Sequence, residues 1–219
     1  MFIELRPFPF RKQIIVDWQT MKMGTVTIEL RPFAIGKYPV TNMMFYDFIQ
    51  ATRYVPQNRD AHSTAMFLAH WDKNNRPPED KISHPVTFVS YDDARAYAEY
   101  VKGRLPTYRE WLYAAYGGTD KEFPWGSAFM SERCNVRESG VGDTTPVGLY
   151  SPQGDSPVGC CDMIGNVWEW TSTPFREDEE MFIAVGTGWD HYSFQREIPL
   201  DRSYRNHSVG FRVVRDVEQ

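Results

Sequence analysis

Alternating polar and apolar residues characterise the first part of the chain. In Thr25-Val26-Thr27-Ile28-Glu29-Leu30 the apolar side chains occupy every second position, which is the period of a half-buried strand. Residues 1–40 are therefore predicted to form strands. After residue 118 the chain is rich in Gly, Pro, Asp and aromatic residues, and only short strands are predicted there, at 166–171 and 210–215.

A helix is predicted to begin after Thr41-Asn42, because both residues are good N-caps. Three apolar side chains then fall on one face of this helix, namely Phe45, Phe48 and Ile49. The polar stretch 54–81 follows and is predicted to be a long loop.

Two further helices are predicted from their N-terminal capping patterns. Ser90 is followed by Asp93, and Thr107 is followed by Glu110, and each pair has the spacing of a capping box. Gly103 is expected to end the first of these helices.

Length and element order indicate a single α+β domain over residues 1–219. The 219 residues suit one large domain. Early helices followed by a loop-rich half are typical of an α+β fold with much coil. The aromatic content of 15% suggests that large side chains anchor these loops.

The net charge, hydrophobic pattern and cysteine content limit the partners and the location that can be expected. The net charge of -5 argues against a nucleic-acid partner. No stretch approaches the roughly 20 apolar residues of a membrane span, and no signal peptide is evident, so a cytoplasmic location is expected. Of the three cysteines, Cys160 and Cys161 are adjacent, and packed thiols are favoured over a vicinal disulfide.

Several sequence blocks occur in an order that resembles the formylglycine-generating-enzyme (sulfatase-modifying factor) family. They span roughly residues 20–215, and each block alone is a weak signal. The blocks are Tyr38-Pro39-Val40-Thr41-Asn42, His84-Pro85-Val86, Val89-Ser90-Tyr91-Asp92-Asp93-Ala94, Arg104-Leu105-Pro106-Thr107, Glu110-Trp111, Phe123-Pro124-Trp125-Gly126, Asp162-Met163-Ile164-Gly165-Asn166-Val167-Trp168-Glu169-Trp170 and Gly210-Phe211-Arg212. The resemblance implies a C-type-lectin-like fold, with two to three helices on a small twisted antiparallel sheet and a large irregular loop lobe.

The last long block also suggests a calcium site. It offers two carboxylates seven residues apart with a glycine between them, and calcium binds carboxylate and carbonyl oxygens. The resemblance assigns Asp162 and Glu169 as side-chain ligands, and Gly165 and Val167 as carbonyl ligands. The alternative is that the two acidic residues cap turns.

A second calcium site follows from the resemblance alone. It maps to the side chains of Asn135 and Ser139 and to the carbonyls of Val136 and Val141. The loop that carries these residues is shorter here than in the family.

The copper centre of the family is not expected in this chain. In the family two cysteines five residues apart hold copper, and thiolates suit a soft Cu(I) ion. The matching positions are His191 and Arg196, and no cysteine follows Cys161. Formylglycine synthesis by the family's mechanism is therefore excluded.

The region that replaces the copper centre has the composition of a binding hot spot, because it is rich in aromatic residues and arginine. The predicted ligand-contacting residues are Trp189, Asp190, His191, Tyr192, Phe194, Arg196, Arg202, Tyr204 and Arg205. The alternative is that these aromatic residues fill the lobe while the arginines pair with the acidic run Glu177–Glu180.

Two hypotheses for the function follow. The first is a non-catalytic module that binds a protein or a small molecule, as do the variable proteins of diversity-generating retroelements, which this chain resembles in composition only. The second is a divergent metal-dependent oxidoreductase that uses His191, with Asp190 and His207 nearby. His62, His70 and His84 show no metal-ligand spacing.

Overall fold

The computed structural model describes residues 1–17, 22–57, 65–177 and 180–217. The helices are α1 (Asn42–Thr52), α2 (Tyr91–Tyr100) and α3 (Tyr108–Tyr116). The strands are β1 (Phe2–Leu5), β2 (Phe10–Asp17), β3 (Lys22–Ile28), β4 (Phe33–Gly36), β5 (Trp168–Pro174), β6 (Met181–Val185), β7 (Glu197–Asp201), β8 (Val209–Gly210) and β9 (Val214–Asp216). The predicted α+β class is confirmed.

The strands form three separate sheets. Strands β1, β4 and β9 pair in that order, β2 and β3 form a hairpin, and the order of the largest sheet is β7-β6-β5-β8. Pairing is antiparallel except between β5 and β8, which run parallel with Trp168 opposite Val209. The expected antiparallel sheet is thus divided, and one of its pairs is parallel.

The predicted helix starts are confirmed by their capping hydrogen bonds. The Thr41 hydroxyl accepts the Met44 N–H at 3.3 Å. The carboxylate of Asp93 accepts the backbone N–H of Ser90 at 2.8 Å, and that of Glu110 accepts the N–H of Thr107 at 2.8 Å. Both capping boxes are complete, which fixes where α2 and α3 begin.

The end of α2 differs from the prediction. The helix ends at Tyr100, and the left-handed residue that follows is Lys102, with φ 55°. Gly103 is required for another reason, since a Cβ there would lie 2.5 Å from the Val213 side chain and 2.6 Å from the Val214 carbonyl oxygen. The glycine lets the chain after α2 pass close to β9.

The strand predicted at 210–215 is interrupted. Strand β8 ends at Gly210, β9 begins at Val214, and between them the side chain of Arg212 is fully buried. Its guanidinium donates to the carbonyl oxygens of Gly36 at 3.1 Å and Cys161 at 2.9 Å. An arginine that binds carbonyls in the core explains why the regular strand stops there.

The two largest hydrophobic clusters of the described residues hold the elements together. One joins α1 and α2 to the largest sheet, and its buried side chains include Phe45, Phe48, Tyr97, Trp170 and Phe211. The other joins the β2–β3 hairpin and α3, and includes Phe10, Ile28, Phe33, Trp111 and Met163. The described part of the predicted 54–81 loop contributes buried Trp71, so an aromatic side chain does anchor it.

Within the described ranges no helix is both long and apolar enough to cross a membrane.

Candidate functional site

The predicted ligand-binding region begins in the turn that connects β6 to β7. This turn packs closely on the start of β5, because a Cβ at Gly188 would lie 2.9 Å from Trp168 Cδ1 and 2.9 Å from Ser208 Cβ. The backbone N–H of Trp189 donates to the Asn166 carbonyl at 3.1 Å. The turn is therefore held by the sheet and presents its side chains from a fixed backbone.

Asp190 links two histidines. Its Oδ1 lies 2.8 Å from His191 Nδ1, and its Oδ2 lies 3.1 Å from His207 Nε2. Burial alone would raise the pKa of Asp190, but hydrogen bonds from His191 and Ser208 outweigh it and lower the pKa. Trp189 donates its Nε1–H to the carbonyl of His207 at 3.3 Å, which ties the turn to the chain before β8.

This cluster is a hydrogen-bonded group rather than a preformed metal site. Both Asp190 oxygens face ring nitrogens at hydrogen-bond distances, and the ring of His191 packs edge-on against Trp168 at 5.4 Å. Across the described residues no group of three or more His, Cys, Asp or Glu side chains is arranged to hold a metal ion. His84 bonds Thr144 instead, and His62 lies outside the described residues.

Two aromatic side chains of the turn are exposed and stacked. The rings of Tyr192 and Phe194 lie 5.7 Å apart and nearly parallel, and the residues are 43% and 72% exposed. The guanidinium of Arg137 lies over the Tyr192 ring at 5.1 Å. A shallow depression of 430 Å³ adjoins them, lined by Arg137, Gly140, Gly142, Trp189 and Asp190.

Arg137 and Glu138 are site residues that the sequence did not reveal. They lie on a single 3₁₀ turn, Arg137–Ser139. The Glu138 carboxylate accepts the Ser193 hydroxyl at 2.8 Å and the Ser193 N–H at 3.0 Å, which fixes the backbone between Tyr192 and Phe194. Nothing in the sequence signals a contact between residues 55 positions apart.

Arg202 and Arg205 do not belong to the exposed site. Arg205 is only 5% exposed, and its Nε donates to Asp93 at 2.8 Å. Arg202 binds both carboxylate oxygens of Asp92, with Nη2 to Oδ1 at 2.7 Å. These pairs attach the chain before β8 to the start of α2, so both guanidinium groups have acidic protein partners. The hydrogen bonds with Asp92 raise the pKa of Arg202, and the charge of Glu180 also raises it, in line with the alternative that the arginines pair with residues 177–180, of which 178 and 179 lie outside the described residues.

The guanidinium of Arg196 is bound by protein groups outside the exposed aromatic pair. Its Nη1 donates to the Tyr116 hydroxyl at 3.0 Å and to the Glu122 carbonyl at 2.8 Å. Its guanidinium stacks on Phe123 at 4.5 Å. Of the remaining predicted ligand residues, Tyr204 is exposed just after the end of β7, and Asn206 donates to its hydroxyl at 3.0 Å.

In the first predicted calcium segment, from Asp162 to Glu169, the carboxylates already have hydrogen-bond partners within the protein. Both oxygens of Glu169 accept hydrogen bonds from the buried Arg212, at 2.6 and 2.7 Å, and Trp111 donates to Oε2 at 2.9 Å. Asp162 Oδ2 accepts the Gly148 N–H at 2.6 Å, and burial raises the pKa of this carboxyl to about 6. The carbonyl of Gly165 accepts the Val167 N–H at 3.0 Å. Glu169 is thus already neutralised by a protein cation.

The second predicted segment contains one atom that fits a cation well. Asn135 is buried, its Nδ2 donates to the Asp143 carbonyl at 2.8 Å, and its Oδ1 has no partner among the described residues. An oxygen that only accepts and lacks a donor is a suitable calcium ligand. The other three positions fit less well, because the Ser139 hydroxyl already donates to the Cys134 carbonyl, the Val136 carbonyl accepts the Ser139 N–H and Val141 is exposed.

The same fold is found in solved structures. PvdO from Pseudomonas aeruginosa superposes with a TM-score of 0.77 at 21% identity, over 99% of this chain and 94% of that one. Treponema denticola variable protein 1 superposes with a TM-score of 0.71 at 15% identity, over 99% of this chain and 95% of that one. These identities establish a common fold and nothing further.

A curated relative is closer in sequence. The inactive C-alpha-formylglycine-generating enzyme 2 of Bos taurus is 30% identical over 203 residues, which cover 74% of this chain and 67% of the bovine protein. The chain spans between 60% and 67% of the length of the first curated relatives that it matches. The profile of the sulfatase-modifying factor enzyme 1-like domain matches residues 10–217, and the chain therefore belongs to this family.

Proposed function

We propose that this chain is a non-catalytic binding domain that recognises a protein partner. Its binding face consists of Arg137, Trp189, Asp190, Tyr192 and Phe194. The observation that carries the proposal is the exposed, stacked pair Tyr192–Phe194, on a turn that hydrogen bonds attach to Glu138 and Asn166. By the resemblance, this turn contains the positions that match the family's copper cysteines.

The order of this surface lowers the entropic cost of binding a partner. Aromatic and arginine side chains contribute most to interface hot spots, and preorganised side chains lose little entropy when a partner binds. Here Arg137 stacks on Tyr192, and Glu138 fixes the backbone of Ser193. A partner would therefore meet a surface that is already ordered.

The related proteins are compatible with this proposal. The bovine relative is named an inactive enzyme, and one structural neighbour is named a variable protein. A retroelement variable protein is a special case of the proposed function, and a reverse-transcriptase gene beside the coding gene is its marker. Three free, buried cysteines favour a reducing compartment such as the cytoplasm.

The experiment is a selection from a random peptide library against the intact chain. Peptides that bind are then measured against Tyr192→Ser/Phe194→Ser, and against Phe8→Ser, which removes an exposed aromatic residue elsewhere. We expect most selected peptides to lose at least about tenfold in affinity with the double variant, and to keep their affinity with the control. The proposal would be overturned if most selected peptides bound the double variant as tightly as the native chain.

The competing function, a metal-dependent oxidoreductase, predicts a tightly bound redox metal. Elemental analysis of the purified chain, with His191→Ala as the comparison, separates the two. Iron or copper near one atom per chain that is lost in His191→Ala would favour the enzyme.

We also propose a structural calcium ion at the loop that carries Asn135, with the Asp162 segment as the other candidate position. The support is the buried, unpartnered Asn135 Oδ1. Calcium bound there would satisfy this oxygen and hold the loop that carries Arg137 next to the binding face.

A further inference from the structure

A second cavity lies on the other side of the β6–β7 turn, between this turn and the N-terminal hairpin. Its volume is 530 Å³, within the range of small-molecule sites. Apolar and aromatic side chains supply part of its wall, namely Trp111, Leu112, Tyr116, Val185 and the exposed Phe194. The remaining wall carries charged groups, which decide what it can bind.

Two partly buried cations line this cavity and form no ion pair within the described residues, namely Lys12 and Arg196. Lys12 Nζ contacts the carbonyls of Thr119 at 3.2 Å and Lys121 at 3.4 Å, and it lies over the Tyr116 ring at 4.1 Å. Arg196 uses Nε and Nη1 for protein oxygens, which leaves Nη2 for another acceptor.

The position of Lys12 disfavours its positive charge. Burial lowers the pKa of Lys12, Asp120 opposes this effect, and the nearby charge of Arg196 adds to it more weakly. An anionic group placed between Lys12 and Arg196 would favour the charged form of Lys12.

One partly buried carboxylate lines the same cavity and accepts no hydrogen bond from a cation among the described residues. Glu197 is half-buried, and its Oε1 is bound by the Tyr108 hydroxyl at 3.4 Å, with no ion pair in the described structure. Burial raises the pKa of Glu197, although Tyr108 and Arg196 oppose the rise. The other charged side chains of the lining, Asp120, Lys121 and Glu122, are exposed at its rim.

We propose that the 530 Å³ cavity binds a free amino acid with a large apolar side chain. The ligand carboxylate contacts Lys12 and Arg196, the ammonium group contacts Glu197, and the side chain packs on Trp111 and Leu112. This inference rests on the proposed function only in treating the chain as a binding domain, since it adds a small-molecule site beside the protein-binding face.

The test uses three probes of nearly equal shape in isothermal titration calorimetry. They are L-phenylalanine, 3-phenylpropionate, which lacks the ammonium group, and 2-phenylethylamine, which lacks the carboxylate. We expect L-phenylalanine to bind at least about tenfold more tightly than either analogue, because each analogue lacks one of the two charged groups that the cavity binds. Absence of saturable binding of L-phenylalanine up to about 10 mM would overturn the proposal.

Variants test which charged side chain of the cavity binds which group of the ligand. Lys12→Gln should weaken L-phenylalanine and 3-phenylpropionate about tenfold and leave 2-phenylethylamine unchanged. Arg196→Gln should have the same effects. If the loss of the Arg196 contacts unfolds the chain, Lys12→Gln alone tests the carboxylate site. Glu197→Gln should weaken L-phenylalanine and 2-phenylethylamine and leave 3-phenylpropionate unchanged.

The matched controls are Lys121→Gln and Glu122→Gln, which remove the same charges at the exposed rim. Equal losses for all three probes in the cavity variants, or in the controls, would contradict the assignment. Peptide binding through Tyr192 and Phe194 should survive Lys12→Gln. Loss of one activity with retention of the other therefore shows which proposal has failed.

Discussion

Glu169 and Arg212 form a two-pronged ion pair with both side chains fully buried. Arg212 Nε lies 2.6 Å from Oε2 and Nη2 lies 2.7 Å from Oε1. Trp111 donates to the same carboxylate, and the guanidinium also binds backbone carbonyls. The pair thus joins β5, α3 and the segment between β8 and β9, so two family motifs form one buried contact.

Removal of one partner of this ion pair should lower the free energy of unfolding. Glu169→Gln leaves the buried guanidinium without its counter-charge, and we expect a loss of roughly 3–5 kcal/mol in the free energy of unfolding. Urea denaturation measures this loss. Glu4→Gln is the control, because Glu4 pairs with Arg6 at the surface and should change stability by less than about 1 kcal/mol. Equal small losses in both variants would contradict the role of the buried pair.

His70 should make stability depend on pH. Burial, with a smaller contribution from the charge of Lys81, lowers the pKa of His70 from 6.5 to about 4. The unfolded chain therefore binds a proton first, and stability should fall as the pH drops from about 6.5 to about 4, by roughly 2–3 kcal/mol. Urea titrations at several pH values should show this slope in the native chain. An unchanged slope in His70→Gln would contradict the prediction.

The three thiols should react slowly. All are buried and free, and burial raises the pKa of Cys134 and Cys161 to about 12 and that of Cys160 to about 11. At pH 8 the thiolate fraction should be at least about 100-fold below that of an ordinary cysteine. Labelling with Ellman's reagent should be slow in the native protein and reach three thiols after unfolding. Rapid native labelling, or fewer than three thiols without reductant, would contradict this.

Calcium should raise the melting temperature of chelator-treated protein. At calcium concentrations about 100 times the dissociation constant the gain is about 2.7 kcal/mol, which corresponds to roughly 5–10 °C in a chain of this size. Asn135→Leu should reduce the increment if the Asn135 loop holds the ion, while Asp162→Asn tests the other segment. Asn74→Ala is the control at an exposed asparagine. No increment in the native chain would rule out the proposed ion.

Local features were predictable from the sequence, and contacts between distant segments were not. The capping boxes at Ser90 and Thr107 depend on residues three positions apart, so the sequence displays them directly. Arg205 was assigned to a ligand because its partner Asp93 lies 112 residues earlier. The same applies to Arg212, whose apolar neighbours suggested a continuous strand.

The same distinction between local and distant contacts applies to the candidate site. The exposed aromatic residues lie within one short segment and could be predicted from composition. Arg137 and Lys12, which complete the binding face and the second cavity, come from distant segments and carry no signal of their own.

The most direct test of the binding face is the hydrogen-exchange footprint of a bound library-selected peptide. The account predicts slower exchange at residues 137–142 and 188–196, with no change at residues 2–8. A footprint that avoids both predicted segments would contradict the assignment of the binding face to residues 137–142 and 188–196.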